Sequence, residues 1–458
     1  MKRIKSLKLG AVIALMSLLT LLMAACGDNT ATPVAATTAA ATKAATTAAG
    51  TTAAATTAAA GATTTAAATT AAGATTAAGA VQTVAPVANG NKTGVTDTEI
   101  KIGSSTPQSG GAAAYGIVSR VQDAYWKEVN AAGGIYGRQI KYLYEDDAYA
   151  AAKSQANMKK FVEQDKVFAV MGNIGTANNL AFKDYLQENG MVPNVGFATG
   201  SGLLVNPTGF QKNAFGVLPN YTFEGNILAQ YAADTLKVKS VSVLYQNDAF
   251  GKEAYQSFVK KAKELKLEVK VEVPYEAGAT DLSSQALKLQ QAAAELVFVN
   301  AVPGPGATAV KEMDKLGYKP KLELAYVEND VQFWTNAGTA AEGAYTTSFT
   351  PLPDSTDPKV VKFREFMKKT LPNEQVGNFA LWGYIGAQIM EEALKRAGKD
   401  LSRESLIAAL ESFDNWTGSV SVTPITYGKD NRSPFKSLFF LQQKDGKTVK
   451  VSDPIEYK

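Results

Sequence analysis

The chain has 458 residues, with 46 Lys and Arg against 42 Asp and Glu, no His and one Cys. The missing His removes the commonest general base and metal ligand, and a single Cys excludes internal disulfides and thiolate metal clusters, so no cofactor or metal is expected. The formal charge of +4 is supplied by Lys2, Arg3, Lys5 and Lys8; the rest of the chain is neutral and shows no basic stripe for nucleic acid.

Residues 1–8 are basic, and residues 9–23 form an apolar run of about fifteen, the length of a signal-peptide core and short for a membrane span. Leu22-Met23-Ala24-Ala25-Cys26-Gly27 follows. Small residues ahead of a lone Cys resemble a bacterial lipoprotein cleavage site, with Met23 where Leu is usual. The resemblance implies a signal peptide over 1–25, cleavage before Cys26 and lipid on its sulfur, holding the protein on the outer face of a membrane. Residues 26–94 are dominated by Ala and Thr. Paired threonines weaken helix and no apolar stripe is present, so this stretch reads as a disordered tether.

From residue 95 the pattern is α/β. A strand, Ile100-Lys101-Ile102-Gly103, runs into a loop of small and hydroxyl residues, 104–111. The next helix carries an apolar stripe of Ile117, Val121, Ala124 and Tyr125, with Arg120, Gln122, Asp123, Lys127 and Glu128 opposite. Gly133-Gly134 stops it, and a strand over 139–144 ends at Glu145-Asp146-Asp147. Asp146 and Asp147 read as turn and cap residues rather than metal ligands, for want of a third ligand. Further strands over 167–171 and 192–197 end in Gly172-Asn173-Ile174-Gly175-Thr176-Ala177-Asn178 and Ala198-Thr199-Gly200-Ser201-Gly202. Three successive strands thus end in small polar loops, where ligands of parallel α/β folds collect. Hydroxyls without charge suit holding a small molecule better than reacting with it.

A fresh series starts near Tyr221. Strands are expected over 241–245, 267–273, 296–300 and 322–326, with Asp281 capping a helix and Pro303-Gly304-Pro305-Gly306 as a strand-end loop. Helices over 360–370, 378–397 and 403–413 follow, and short strands near 419–422 and 437–441 close the chain. Trp126, Trp334, Trp382 and Trp416 read as packing residues.

The stretches Ser109-Gly110-Gly111-Ala112-Ala113-Ala114-Tyr115-Gly116, Val129-Asn130-Ala131-Ala132-Gly133-Gly134-Ile135-Tyr136-Gly137-Arg138, Asn247-Asp248-Ala249-Phe250-Gly251 and Gly278-Ala279-Thr280-Asp281-Leu282-Ser283 resemble the branched-chain amino acid (Leu/Ile/Val) binding proteins of ABC importers. The resemblance implies the type I periplasmic binding fold: two Rossmann-like α/β lobes joined by a three-crossover hinge. Lobe one would hold 95–217 and 347–420, and lobe two 218–346 and 421–458. A monomeric, non-enzymatic receptor would close on its ligand and dock on a permease and its ATPase. Residue by residue, Tyr115 matches an aromatic that packs on the ligand, and Thr176 a hydroxyl that holds its carboxylate. Ala198, Thr199 and Ser201 match the loop that offers N–H and hydroxyl groups, and Glu328 the acid that pairs with the α-ammonium. Phe250 and Val302 stand where tyrosines are common, which makes the site more apolar and leaves amides, urea or aromatic acids as rival ligands. Thr176 and Ser201 equally fit the satisfaction of loop backbone groups. An enzyme, a surface structural protein on an Ala/Thr stalk, and a ligand-sensing surface lipoprotein are the other readings.

Overall fold

The computed structural model describes residues 82–209 and 211–456; the signal peptide, Cys26 and most of the Ala/Thr tract lie outside them. The chain begins with β1 (Glu99–Thr106), α1 (Ile117–Ala131), β2 (Gln139–Asp146), α2 (Ala151–Lys159), β3 (Ala169–Met171), α3 (Thr176–Glu188), β4 (Asn194–Phe197), α4 (Gly202–Val205) and β5 (Ala214–Gly216). These strands form one parallel sheet in the order β2-β1-β3-β4-β5. Central β3 is buried at every position, whereas edge strand β2 alternates at its start, as one-sided cover requires.

The first crossing leads to α5 (Tyr221–Asp234), β6 (Ser240–Gln246), α6 (Ala249–Glu264), β7 (Glu268–Tyr275), α7 (Ser283–Ala292), β8 (Leu296–Asn300), α8 (Pro303–Lys315), β9 (Lys321–Leu324), α9 (Val331–Ala337) and β10 (Tyr345–Ser348). After the second crossing, α10 (Pro358–Thr370), α11 (Asn378–Ala397) and α12 (Arg403–Glu411) cover the first sheet; α11 packs on α1, β4 and α12. The third crossing carries Arg432, fully buried, with Nη2 2.8 Å from Glu411 Oε1 and the guanidinium 4.2 Å over the Phe215 ring. The chain then adds β11 (Ser437–Lys444), β12 (Lys447–Lys450) and β13 (Ile455–Glu456). The second sheet runs β12-β11-β10-β9-β8-β6-β7, antiparallel at the β10–β11 and β11–β12 pairs, with β13 beside β11. The architecture is therefore two α/β lobes linked by three crossings. Among the described residues no helix is long and apolar enough to cross a membrane.

Several expectations need correction. Gln122, placed on the polar side of α1, is fully buried and accepts the Tyr142 hydroxyl at 2.7 Å. Pro303-Gly304-Pro305-Gly306 is the first turn of α8, where a proline lacks only an N–H that would have no helical partner. Residues 419–422 form no strand; the Ser419 hydroxyl and the Val420 N–H donate to Gln388 Oε1. Strands β5 and β10 were not foreseen. Part of the expected tether lies along lobe one: the Val84 N–H donates to Arg396 O, and the Asn91 N–H to Glu404 Oε2. The expected left-handed stop of α1 is occupied by Gly133 (φ 103) and Gly134 (φ 72).

Candidate ligand-binding cleft

The two sheets point their strand ends at a shared gap. Tyr115, Tyr149, Ile174, Gly175, Ala198 and Trp382 line it from lobe one, with Leu218 on the first crossing. Tyr221, Phe250 and Val327 face them. The cavity left is about 10 Å³, space for a single water. A solute therefore enters only when the lobes part. A larger groove of about 520 Å³ lies beside Trp334 and Val376, away from the strand-end loops of lobe one.

Tyr115 sits in a 3₁₀ turn just before α1, its ring 4.5 Å from Phe379 and stacked 6.1 Å from Trp382. Its hydroxyl donates across the gap to Val327 O at 2.7 Å. Burial pushes the Tyr115 phenol well up, with neighbouring Tyr149, Tyr221 and Glu328 adding to the shift, so it stays a neutral donor. Phe250, in the first turn of α6, meets Tyr221 edge-on at 5.5 Å. Ala198 reaches the gap, but its N–H donates to Asn173 O and its carbonyl accepts the Gly175 N–H.

The other expected residues stand one layer back. Thr176 opens α3, and its hydroxyl pairs with that of Thr199 at 2.6 Å; both residues are buried behind Gly175 and Ala198. Ser201 caps α4 and donates to Glu253 Oε2 at 2.6 Å. Glu328 lies behind Val327 and does not border the gap. Its Oε2 accepts the Ala325 N–H at 3.2 Å, while Oε1 sits over Gly306, where a β-carbon would stand 2.1 Å away. Burial raises this carboxyl well above the usual range, against hydrogen bonds from the Ala325 and Ala301 backbone.

Three of the lining rings escaped the sequence reading. Tyr149 lies just past Asp147, so the strand-end rule that singled out the neighbouring loops applies to it as well. Tyr221 opens α5 directly after the first crossing. Trp382 comes from α11, and no local pattern ties it to the gap; it packs, as expected, but also borders the cavity. Tyr149 and Tyr221 join Tyr115 in bringing phenols to a site where Phe250 and Val302 supply none. Tyr275 adds a fourth just behind: its hydroxyl accepts the Val302 N–H at 3.1 Å and donates to Gln246 Oε1 at 3.0 Å.

Asp146 and Asp147 build the loop that presents Tyr149. Asp146 accepts from Gln108 N, Ala148 N and the Ser109 hydroxyl; burial alone would raise its pKa, but these bonds hold it below the usual range. Asp147 accepts from Tyr149 N, Ser105, Ser154 and Asn178.

Comparison with known proteins agrees with this architecture. The family model described as "Periplasmic binding protein" matches residues 99–448. Leu/Ile/Val-binding protein homolog 3 of Brucella melitensis biotype 1 is 24% identical over 357 residues, covering 77% of this chain and 93% of that relative. A branched-chain amino acid ABC transporter structure from Thermus thermophilus, with bound valine, superposes with a TM-score of 0.70 at 22% identity, covering 79% of this chain and 97% of that one. A fatty acid ABC transporter substrate-binding protein from Thermomonospora curvata gives a TM-score of 0.72 at 23% identity, covering 80% and 95%. With two lobes, three crossings and a gap at the strand ends, the chain belongs to the periplasmic binding protein family, whose members are extracytoplasmic receptors for small molecules.

Proposed function

We propose that the protein is the lipid-anchored solute receptor of an ABC importer. It takes up a small amino acid, of the branched-chain type, between its lobes and delivers it to a membrane permease and its ATPase. It acts as a monomer, held to the outer face of the membrane through Cys26, and makes or breaks no bond. The observation that carries this reading is the Tyr115 hydroxyl bound to Val327 O across the gap. A contact made only when the lobes meet couples what lies between them to closure. We assign ligand contact to Tyr115, Ala198 and Phe250. Thr176, Thr199 and Ser201 brace the loops behind them, and Glu328 supplies an acid one residue away. The valine in the Thermus relative supports the branched-chain class. The ring-rich lining favours aromatic acids or amides as the second reading.

Thermal unfolding of the full chain against the twenty amino acids, urea, short amides and aromatic acids tests this. A ligand at one hundred times its Kd adds about 2.7 kcal/mol to the native state. A rise with Leu, Ile or Val supports the amino-acid reading. A rise with amides or aromatic acids alone keeps the receptor and changes the ligand. No response to the whole panel overturns the amino-acid, amide and aromatic-acid readings alike. Membrane fractionation of Cys26→Ser tests the anchor separately, and a variant that stays with the membrane rejects it.

A further inference from the structure

Five rings wall the gap: Tyr115, Tyr149 and Trp382 on one side, Tyr221 and Phe250 on the other. No charged side chain lines it. A primary ammonium there would have three N–H groups to satisfy. Two of the oxygens nearby are poorly placed to do so. Val327 O already accepts the Tyr115 hydroxyl, and Glu328 turns its Oε1 toward Gly306. An alkylated ammonium has fewer N–H groups or none. Its charge is spread over methyl groups that pack on ring faces, whose quadrupole attracts a cation within about 6 Å of the ring centre.

A second, independent observation concerns Tyr149. It follows Ala148, and both are non-glycine residues in the left-handed region, at φ 49 and φ 61. The Tyr149 ring presses on Gly175 so closely that a β-carbon there would meet Cε2 at 2.8 Å. The Asp147 side chain fixes this turn by accepting the Tyr149 N–H at 2.8 Å. Strain of this kind persists where the surrounding structure imposes it, and it gathers at ligand clamps. Here its effect is to bring the Tyr149 ring to the wall of the gap.

We propose that the gap selects an N-alkylated ammonium group, held by the faces of these five rings, with Tyr149 as the ring that the loop after β2 is strained to present. The inference rests on the receptor reading and puts an alkylated ammonium in place of the primary one that a branched-chain amino acid carries.

The probes are tetramethylammonium and the series glycine, N-methylglycine, N,N-dimethylglycine and N,N,N-trimethylglycine, titrated calorimetrically into the full chain. Ring recognition requires affinity to rise with each methyl group, about tenfold or more across the series, with tetramethylammonium competing against the last member. Tyr149→Leu lowers affinity for the trimethyl compound about tenfold, and Tyr149→Phe keeps it within about threefold. Tyr149 is only partly buried, so both variants are expected to fold, and unliganded melting midpoints check this. Affinity that falls with methylation, or binding of unmethylated amino acids alone, overturns the inference and leaves the receptor standing. No response to this series or to the wider panel overturns both.

Discussion

In lobe one Asp147 is fully buried, and the Ser105 and Ser154 hydroxyls, the Asn178 amide and the Tyr149 N–H all donate to it. In lobe two Glu323 is equally buried, and neither of its carboxyl oxygens has a hydrogen-bond partner among the described residues. Burial lifts the Asp147 pKa, but its bonds hold that rise back. Glu323 is raised well above the usual range by burial and by Glu224 close by. Asp147 in lobe one is thus satisfied by donors, whereas burial without donors favours the protonated form of Glu323 in lobe two. The first device depends on neighbouring side chains and the second on pH.

The largest effect expected from this contrast is a loss of stability as pH rises from 5 to 8. Burial pushes Glu224 up to about 8, against 4.5 for an ordinary glutamate, despite hydrogen bonds from Thr347 and the Tyr326 N–H. The folded chain therefore holds a proton that the unfolded chain releases. The stability tied to it is full below pH 4.5, falls as pH rises, and is gone once pH passes about 8. At about 1.4 kcal/mol per pH unit, Glu224 alone accounts for a loss on the order of 4 kcal/mol between pH 5 and 8. Urea unfolding at the two pH values measures it, and Glu224→Gln should remove that share of the slope. A flat profile would erase the distinction between the lobes.

Asp147→Ala sharpens the other side. It strips the acceptor from two buried hydroxyls and should cost about 3 kcal/mol at pH 7 by chemical unfolding. Glu323→Met should do the opposite, because an apolar side chain of similar size replaces an unpaired buried acid. A gain of about 1–2 kcal/mol at pH 8, shrinking at pH 5, is expected. Destabilisation at both pH values would mean that Glu323 has a role its surroundings do not show. The smallest effect belongs to Tyr115→Phe, which removes one bond between the lobes, worth about 1 kcal/mol. It should shift the chain toward open forms in small-angle scattering, with a nearly unchanged melting midpoint.

What could be read from the sequence follows the range of the forces involved. Strands β1, β3 and β8 announce themselves by runs of apolar residues, and α1 by its stripe, because these patterns are local. Strands β5 and β10 are three and four residues long, and Ala-Phe-Gly and Tyr-Thr-Thr-Ser carry no apolar run to mark them. For the cleft, the strand-end rule and the family resemblance placed Tyr115, Ala198 and Phe250 beside the gap. They could not show that Thr176 and Thr199 bond to each other or that Glu328 lies one residue behind. Those are questions of which way a side chain turns. Trp382 was invisible as a lining residue because only the packing of α11 against α1 brings it there.

That packing has a consequence for how the protein is made. The first sheet is complete at Gly216, yet α11 begins only at Asn378, and Gly383 lies so close to α1 that a β-carbon would meet Val118 O at 2.6 Å. The second sheet likewise leaves β10 as a bare edge until β11 arrives at Ser437. Neither lobe can finish until its late segment has been made. Completion of each lobe trails the synthesis of its first part, and any product truncated before Ser437 would carry an unpaired strand and be prone to aggregate. A polypeptide whose lobes are completed late is well suited to being threaded through a membrane before it takes its final shape.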